Sequence, residues 1–327
     1  MKKTLLSLLL CAVLALSGCG ATRQNSNDSA AFQIAATTYP VYLLTQAVTD
    51  GIDGVDVKLV IDQQVSCLHN YTLTMQDMEA VEKADVLVEN GAGLEDFLDD
   101  VLEGRDVIDA SAGITLLEGE GHDDHDHDAH EHDDEDADHE SHTEHDHADL
   151  GLTHDHVHEE DPHIWMDPCN AAVMAQNIAE GLAEADPERA DQYRANAQAA
   201  ADELTAFHQE MLDMLDGGHY DLITFHDGFS YFAESFGMHL LAAVEEEEGS
   251  EASAKTIKAI VALVEEDNVP AVFTEVNGSD ATAQVICREC NIQTYPLSMC
   301  MSGDGGGLAA YEDVIRTNIE TIMEAYQ

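Results

Sequence analysis

Beyond residue 31 the chain alternates short apolar runs with amphipathic stretches. Residues 32–36, 55–61, 85–89 and 107–109 read as strands, while 41–49, 75–83 and 94–102 carry apolar positions at helical spacing. Thr74 and Asp77 have the spacing of a capping box at the start of the second helix. The pattern returns in the second half, with strands expected at 221–225, 240–244, 271–274 and 293–295. Helices are expected there at 229–236, 253–267, 280–290 and 309–325. Such βαβ alternation predicts an α/β fold of two lobes, each a mostly parallel sheet flanked by helices. The two halves share architecture without a residue-level repeat.

A longer helical stretch separates the halves. Ala190, Tyr193, Ala197, Ala200, Leu204, Phe207 and Met211 recur at three- and four-residue steps, Gly217 and Gly218 stop the run, and Asp186 with Pro187 is expected to start it. About 29 residues at 1.5 Å each make a rod of roughly 40 Å. That length suits a helix joining two lobes at a fixed separation, and equally an ordinary surface helix of one domain. The organisation expected is a signal peptide at 1–18, a tether at 19–31 and a first lobe at 32–117, completed by 162–186 after an insertion at 118–161. A connecting helix at 187–216 and a second lobe at 217–327 follow.

Charge narrows the functional classes. The 327 residues include 67 acidic and 12 basic side chains, for a net charge of −55. Nucleic acid is excluded as a partner, because binding phosphate needs a basic footprint. At the amino end, Lys2 and Lys3 precede an apolar stretch at 5–16 that is too short to span about 30 Å of hydrocarbon. This is the order of a secretory signal. The run Leu16-Ser17-Gly18-Cys19 resembles a bacterial lipobox, which implies lipidation of Cys19 and anchoring to the extracytoplasmic side of a cell membrane.

The insertion holds 12 histidines and 20 acidic residues without a Lys or Arg. Its apolar content is too low to offset ordering entropy, so disorder is expected in isolation. A charged, solvated loop needs only Asp and Glu; the histidines point to metal capture. Cys287 and Cys290 have CxxC spacing, but without a second pair they read as ordinary thiols or a local disulfide.

Three histidines outside the insertion sit beside expected strand ends or helix starts. His69 follows a strand and precedes the capped helix. His163 lies in Asp161-Pro-His-Ile-Trp-Met-Asp167-Pro168, whose last two residues read as a helix cap and first turn. His226 ends an apolar strand, the edge at which α/β sheets bind ligands. These segments, His69-Asn-Tyr-Thr-Leu73, the stretch around His163, residues 225–232 and Phe273-Thr274-Glu275, resemble the zinc and manganese substrate-binding lipoproteins of ABC importers. The resemblance to this ZnuA-, AdcA- and TroA-like group covers nearly all of the chain from residue 32. It implies two lobes, a rigid connecting helix and one metal ion in the cleft, held by His69, His163 and His226. At the fourth position the chain departs from the family, since residues 295–301 offer only Ser298, Met299, Cys300 and Met301 instead of an acid or histidine. Glu275, water, Ser298 or an insertion residue remain candidates, and Glu275 reads equally as a supporting carboxylate.

Three imidazoles suit zinc, whereas manganese prefers more oxygen; copper and nickel also accept imidazole. The expected function is therefore extracytoplasmic capture of zinc by a monomer that is not an enzyme, with delivery to an ABC-transporter permease. A surface zinc buffer or adhesin is the alternative. A zinc hydrolase is a further one, although HExxH and G-x-S-x-G are absent. Replacing Cys19 by Ala is expected to move the protein from the membrane to the soluble fraction; unchanged membrane retention with cleavage elsewhere would contradict lipidation.

Overall fold

The computed structural model describes residues 31–63, 68, 71–118, 160–244, 252–276 and 278–327. The expected signal peptide and tether, Cys19, His69, most of the insertion and the acidic run at 245–248 lie outside these residues. Two four-stranded parallel sheets organise the rest. The first contains β1 (Phe32–Ala36), β2 (Val55–Leu59), β3 (Val86–Glu89) and β4 (Val107–Asp109), in the order β2-β1-β3-β4. The second contains β5 (Asp221–Thr224), β6 (His239–Ala243), β7 (Ala271–Glu275) and β8 (Gln293–Leu297), in the order β6-β5-β7-β8. Both orders reverse direction beside the first strand of the sheet. There, adjacent carboxyl ends open a crevice that helices cannot fill.

The first-half helices are α1 (Tyr39–Thr49), α2 (Met75–Lys83) and the single turn α3 (Asp99–Leu102). The capping box forms as expected, with the Thr74 side chain accepting from the Asp77 amide and the Asp77 carboxylate accepting from the Thr74 amide. The continuous helix expected at 94–102 is instead a 3-10 turn, Asp96–Leu98, followed by α3. Its break has a physical cause. The buried Glu95 carboxylate turns inward to accept from Thr37 Oγ1 at 2.7 Å and from the Asn90 and Gly91 amides at 2.8 and 3.1 Å. It thereby satisfies backbone and side-chain donors at the carboxyl ends of β1 and β3.

Helix α4 (Pro168–Ala185) begins as the sequence suggests, with Asp167 accepting from the Cys169 amide at 2.7 Å. The long helix α5 (Ala190–Leu215) starts later than expected. Asp186 does not cap it; Asp186 ends α4, and its carboxylate accepts from Arg189 at 2.6 Å and Tyr193 at 2.9 Å. The resulting 26-residue rod is about 39 Å long, and every apolar position that revealed it is buried except Ala190. It packs along α4 and also touches α1 and the last helix.

The second half adds α6 (Ser230–Ser235), α7 (Ala254–Asp267), α8 (Ala281–Cys290) and α9 (Gly307–Ala325). Helix α9 packs on α1, α5 and β8, so one continuous core runs through both halves. A smaller core, including Ile223, Phe225, Ile260 and Ile286, lies under α7 and α8. Cys287 and Cys290 are half-buried thiols, without a disulfide between them.

Burial pushes the Glu95 carboxyl up to about 7 against the three donors that favour its charge. Because the folded value lies above the unfolded one, folding binds a proton between pH about 4.5 and 7, and this contribution to stability falls as pH rises through that window. Glu95→Gln should therefore gain on the wild type between pH 5 and 8 by up to ~3 kcal/mol, whatever its offset at pH 5. Urea midpoints at the two pH values measure this, and a pH-independent difference would show that the carboxylate stays ionised throughout.

Candidate metal centre

The segment after Asp161 enters the interface between the halves as a buried turn. Asn90 Nδ2 donates to the Pro162 carbonyl at 3.0 Å, linking the β3 edge to the residue before His163. Ile164–Met166 form a 3-10 turn with all three side chains buried. From the other side, the Trp165 indole donates to the Met299 carbonyl at 2.8 Å, and Tyr311 on α9 donates to the Trp165 carbonyl at 2.7 Å. His163 is thus held by both halves.

The orientation of the His163 ring follows from Asp161. One Asp161 oxygen accepts from the His163 amide at 2.9 Å and lies 2.8 Å from His163 Nδ1. A carboxylate there selects the Nδ1–H tautomer and leaves the Nε2 lone pair available to a cation, the usual support of a metal-ligating histidine. His226 stands two residues beyond β5, at the point where the strand order of the second sheet reverses. The His163 and His226 ring centroids are 5.2 Å apart with planes at 86°. His226 Nδ1 is 2.9 Å from both the Gly228 amide and the Asp227 carboxylate. The amide suits the Nε2–H tautomer, in which Nδ1 accepts, and the carboxylate the Nδ1–H one.

Donor atoms of His163, His226 and Asp227 all lie within 4.8 Å of one another. Two imidazoles and a carboxylate at this spacing can share one divalent cation. Sequence reasoning singled out the two histidines and passed over the partners Asp161 and Asp227, although each lies within two residues of its histidine. Glu275 ends β7, half-buried, and is not part of this group. Among the other candidates, Ser298 is tied to Asn318 through both its amide and its carbonyl, and its hydroxyl accepts from the Cys300 amide. Met299 replaces polar chemistry with an apolar wall. A Cβ built on Gly228 would lie 2.7 Å from Met299 Sδ and 2.8 Å from His163 Cδ2, so only glycine fits between them.

The feet of the insertion stand beside this centre. Glu118 and Glu160 form an antiparallel bridge, the Asp161 amide donates to the Leu117 carbonyl, and Tyr231 donates to the Asp161 carbonyl at 3.0 Å. Glu160 thus lies three residues before His163, and the bridge holds Glu118 beside it.

A family model described as zinc-uptake complex component A, periplasmic (ZnuA), matches residues 34–325. The chain belongs to the ZnuA family. A zinc-binding protein AdcA of Streptococcus pyogenes is 26% identical over 305 residues, a match covering 89% of this chain and 55% of that protein. The chain thus spans about half the length of that curated relative. The iron-binding protein YfeA of Yersinia pestis is 26% identical over 325 residues, covering 95% of this chain and 92% of YfeA. A crystal structure of ZnuA superposes with a TM-score of 0.70 at 25% identity, covering 91% of this chain and all of that one. The two-lobed fold expected from the sequence is that of this ZnuA structure. Among the described residues, no helix is long and apolar enough to cross a membrane.

Two substitutions should weaken metal binding without removing a ligand. Asp161→Asn leaves the His163 tautomer unenforced, and Gly228→Ala displaces the ring. Each is expected to cost roughly 10–100-fold in affinity, measured by competition with a chromophoric chelator. Wild-type affinity in both variants would remove His163 from the centre.

Proposed function

We propose that this chain captures zinc outside the cytoplasm and hands it to an ABC-transporter permease. The observation that carries the reading is the convergence of His163, His226 and Asp227 at the junction of the two sheets, with Asp161 setting one ring. Family membership supports it, since the family's own description is zinc uptake. His69, outside the described residues, supplies the third imidazole in this reading. Glu275, Asp227 or water completes the shell, and Asp227 has the closer placement.

Zinc is preferred over other divalent ions on ligand chemistry, because imidazole-rich sites suit it better than manganese. That YfeA is named for iron makes this choice one for experiment. The ion is cargo, and the protein acts as a receptor and not as an enzyme. In this reading it is a monomer anchored through lipidated Cys19, and residues 118–161 collect zinc near the cleft. Its net charge of −55 draws cations from solution, more strongly at low ionic strength.

Zinc titration of a chain lacking residues 119–159 tests the assignment. One tight site should remain, and His69→Ala, His163→Ala and His226→Ala in that background should each weaken it about a hundredfold or more, ~2.8 kcal/mol. Affinity should fall on acidification, because protons compete with the ion for imidazole nitrogen. The reading is falsified if all three variants hold zinc as tightly as their parent.

A further inference from the structure

About one turn beyond His163, on the outer side of the same segment, a second group of ligand-type side chains converges from three elements. Asp167 and Cys169 stand at the start of α4, His208 lies within α5, and Ser235 ends α6. Donor atoms of Asp167, Cys169 and His208 all lie within 4.8 Å of one another. Cys169 is exposed, and the other two are half-buried.

The hydrogen bonds leave one consistent proton assignment. Ser235 Oγ donates to Asp167 Oδ1 at 2.8 Å, so its proton is committed there. His208 Nε2 lies 3.0 Å from the Ser235 carbonyl and 3.1 Å from Ser235 Oγ. Neither oxygen has a proton to offer it, so Nε2 carries the hydrogen and donates. His208 Nδ1 is then a bare lone pair, aimed at Cys169 Sγ 3.5 Å away. A histidine that gives its outer N–H to a backbone carbonyl and presents the other nitrogen to a thiol has the tautomer and support of a metal ligand. The spacing fits too. With Zn–S near 2.3 Å and Zn–N near 2.05 Å, the S···N edge of a tetrahedron is about 3.6 Å.

We propose that Asp167, Cys169 and His208 form a second divalent-metal site of the zinc class, separate from the cleft. Binding replaces the thiol proton with the ion. The Cys169 S–H bond breaks, its proton goes to solvent, and sulfur and Nδ1 donate electron pairs to the cation. No electron transfer is involved. A carboxylate oxygen gives the third bond, and the exposed fourth position takes water. A Cys–His nucleophile is the competing use of this pair, but partial desolvation of the sulfur by the surrounding side chains and the Asp167 carboxylate push the thiol up, which disfavours the thiolate in the absence of a cation. The ion braces the start of α4 against the middle of α5. Its thiolate distinguishes it from the cleft and from the insertion, whose ligands are nitrogen and oxygen.

Sulfur ligation gives the test its selectivity. The reduced, metal-free full-length protein is titrated with cobalt(II), and the near-ultraviolet sulfur-to-cobalt charge-transfer band is followed. The band should appear in the wild type and in His163→Ala, vanish in Cys169→Ser, and need at least about tenfold more cobalt in His208→Ala. In parallel, zinc should slow iodoacetamide labelling of Cys169, read by mass spectrometry, about tenfold or more in the wild type, with the protection lost in His208→Ala. No band at saturating cobalt, a band surviving Cys169→Ser, or labelling indifferent to zinc would each overturn the proposal. Loss of cleft binding in His163→Ala with the band retained separates this site from the cargo reading.

Discussion

The fully buried Trp165 turn is where the two sheets become one molecule. Its indole donates to Met299, in the loop after β8, and its carbonyl accepts from Tyr311 on α9, while Asn90 at the β3 edge holds the preceding Pro162 carbonyl. Each of these buried polar groups would cost about 1–3 kcal/mol if left without its partner, so the turn has few alternative positions. His163 inherits that restriction. Its ring stands where elements from both halves meet, and its orientation toward His226 follows from backbone constraints as well as from its own contacts.

The same logic explains why parallel sheets suit this task. At a carboxyl edge, backbone groups and helix starts face an open crevice, and something polar must occupy it. In the first sheet Glu95 fills that role by turning inward, at the cost of a helix. In the second sheet His226 and Asp227 occupy the corresponding position, with donor atoms close to those of His163. One edge is closed by a structural carboxylate, and the other carries ligand-type side chains.

Much of this was legible in the sequence, because it rests on local rules. Strand and helix positions followed from apolar spacing, and the Thr74 and Asp167 caps from side chains that satisfy the first amides of a helix. What escaped depends on contacts distant in sequence. Asp186 looked like a helix start, but Arg189 and Tyr193 draw it into closing the preceding helix. Glu95 looked helical until donors from Thr37 and Asn90 were brought to it. Asp161 and Asp227 were visible as neighbours of histidines, yet their effect on the rings depends on side-chain direction, which spacing does not encode. The convergence of Cys169 with His208, 39 positions apart, depends on how α4 and α5 pack.

The paired feet at Glu118 and Glu160 bear on how such a protein diversifies. Since the bridge and the Leu117–Asp161 hydrogen bond bring the chain back to its point of departure, the sheet does not register how much chain lies between them. Loop-closure entropy rises only logarithmically, by about 0.6 kcal/mol for each doubling of length. The length and composition of the segment between the feet can therefore change at little cost to the fold they are anchored in.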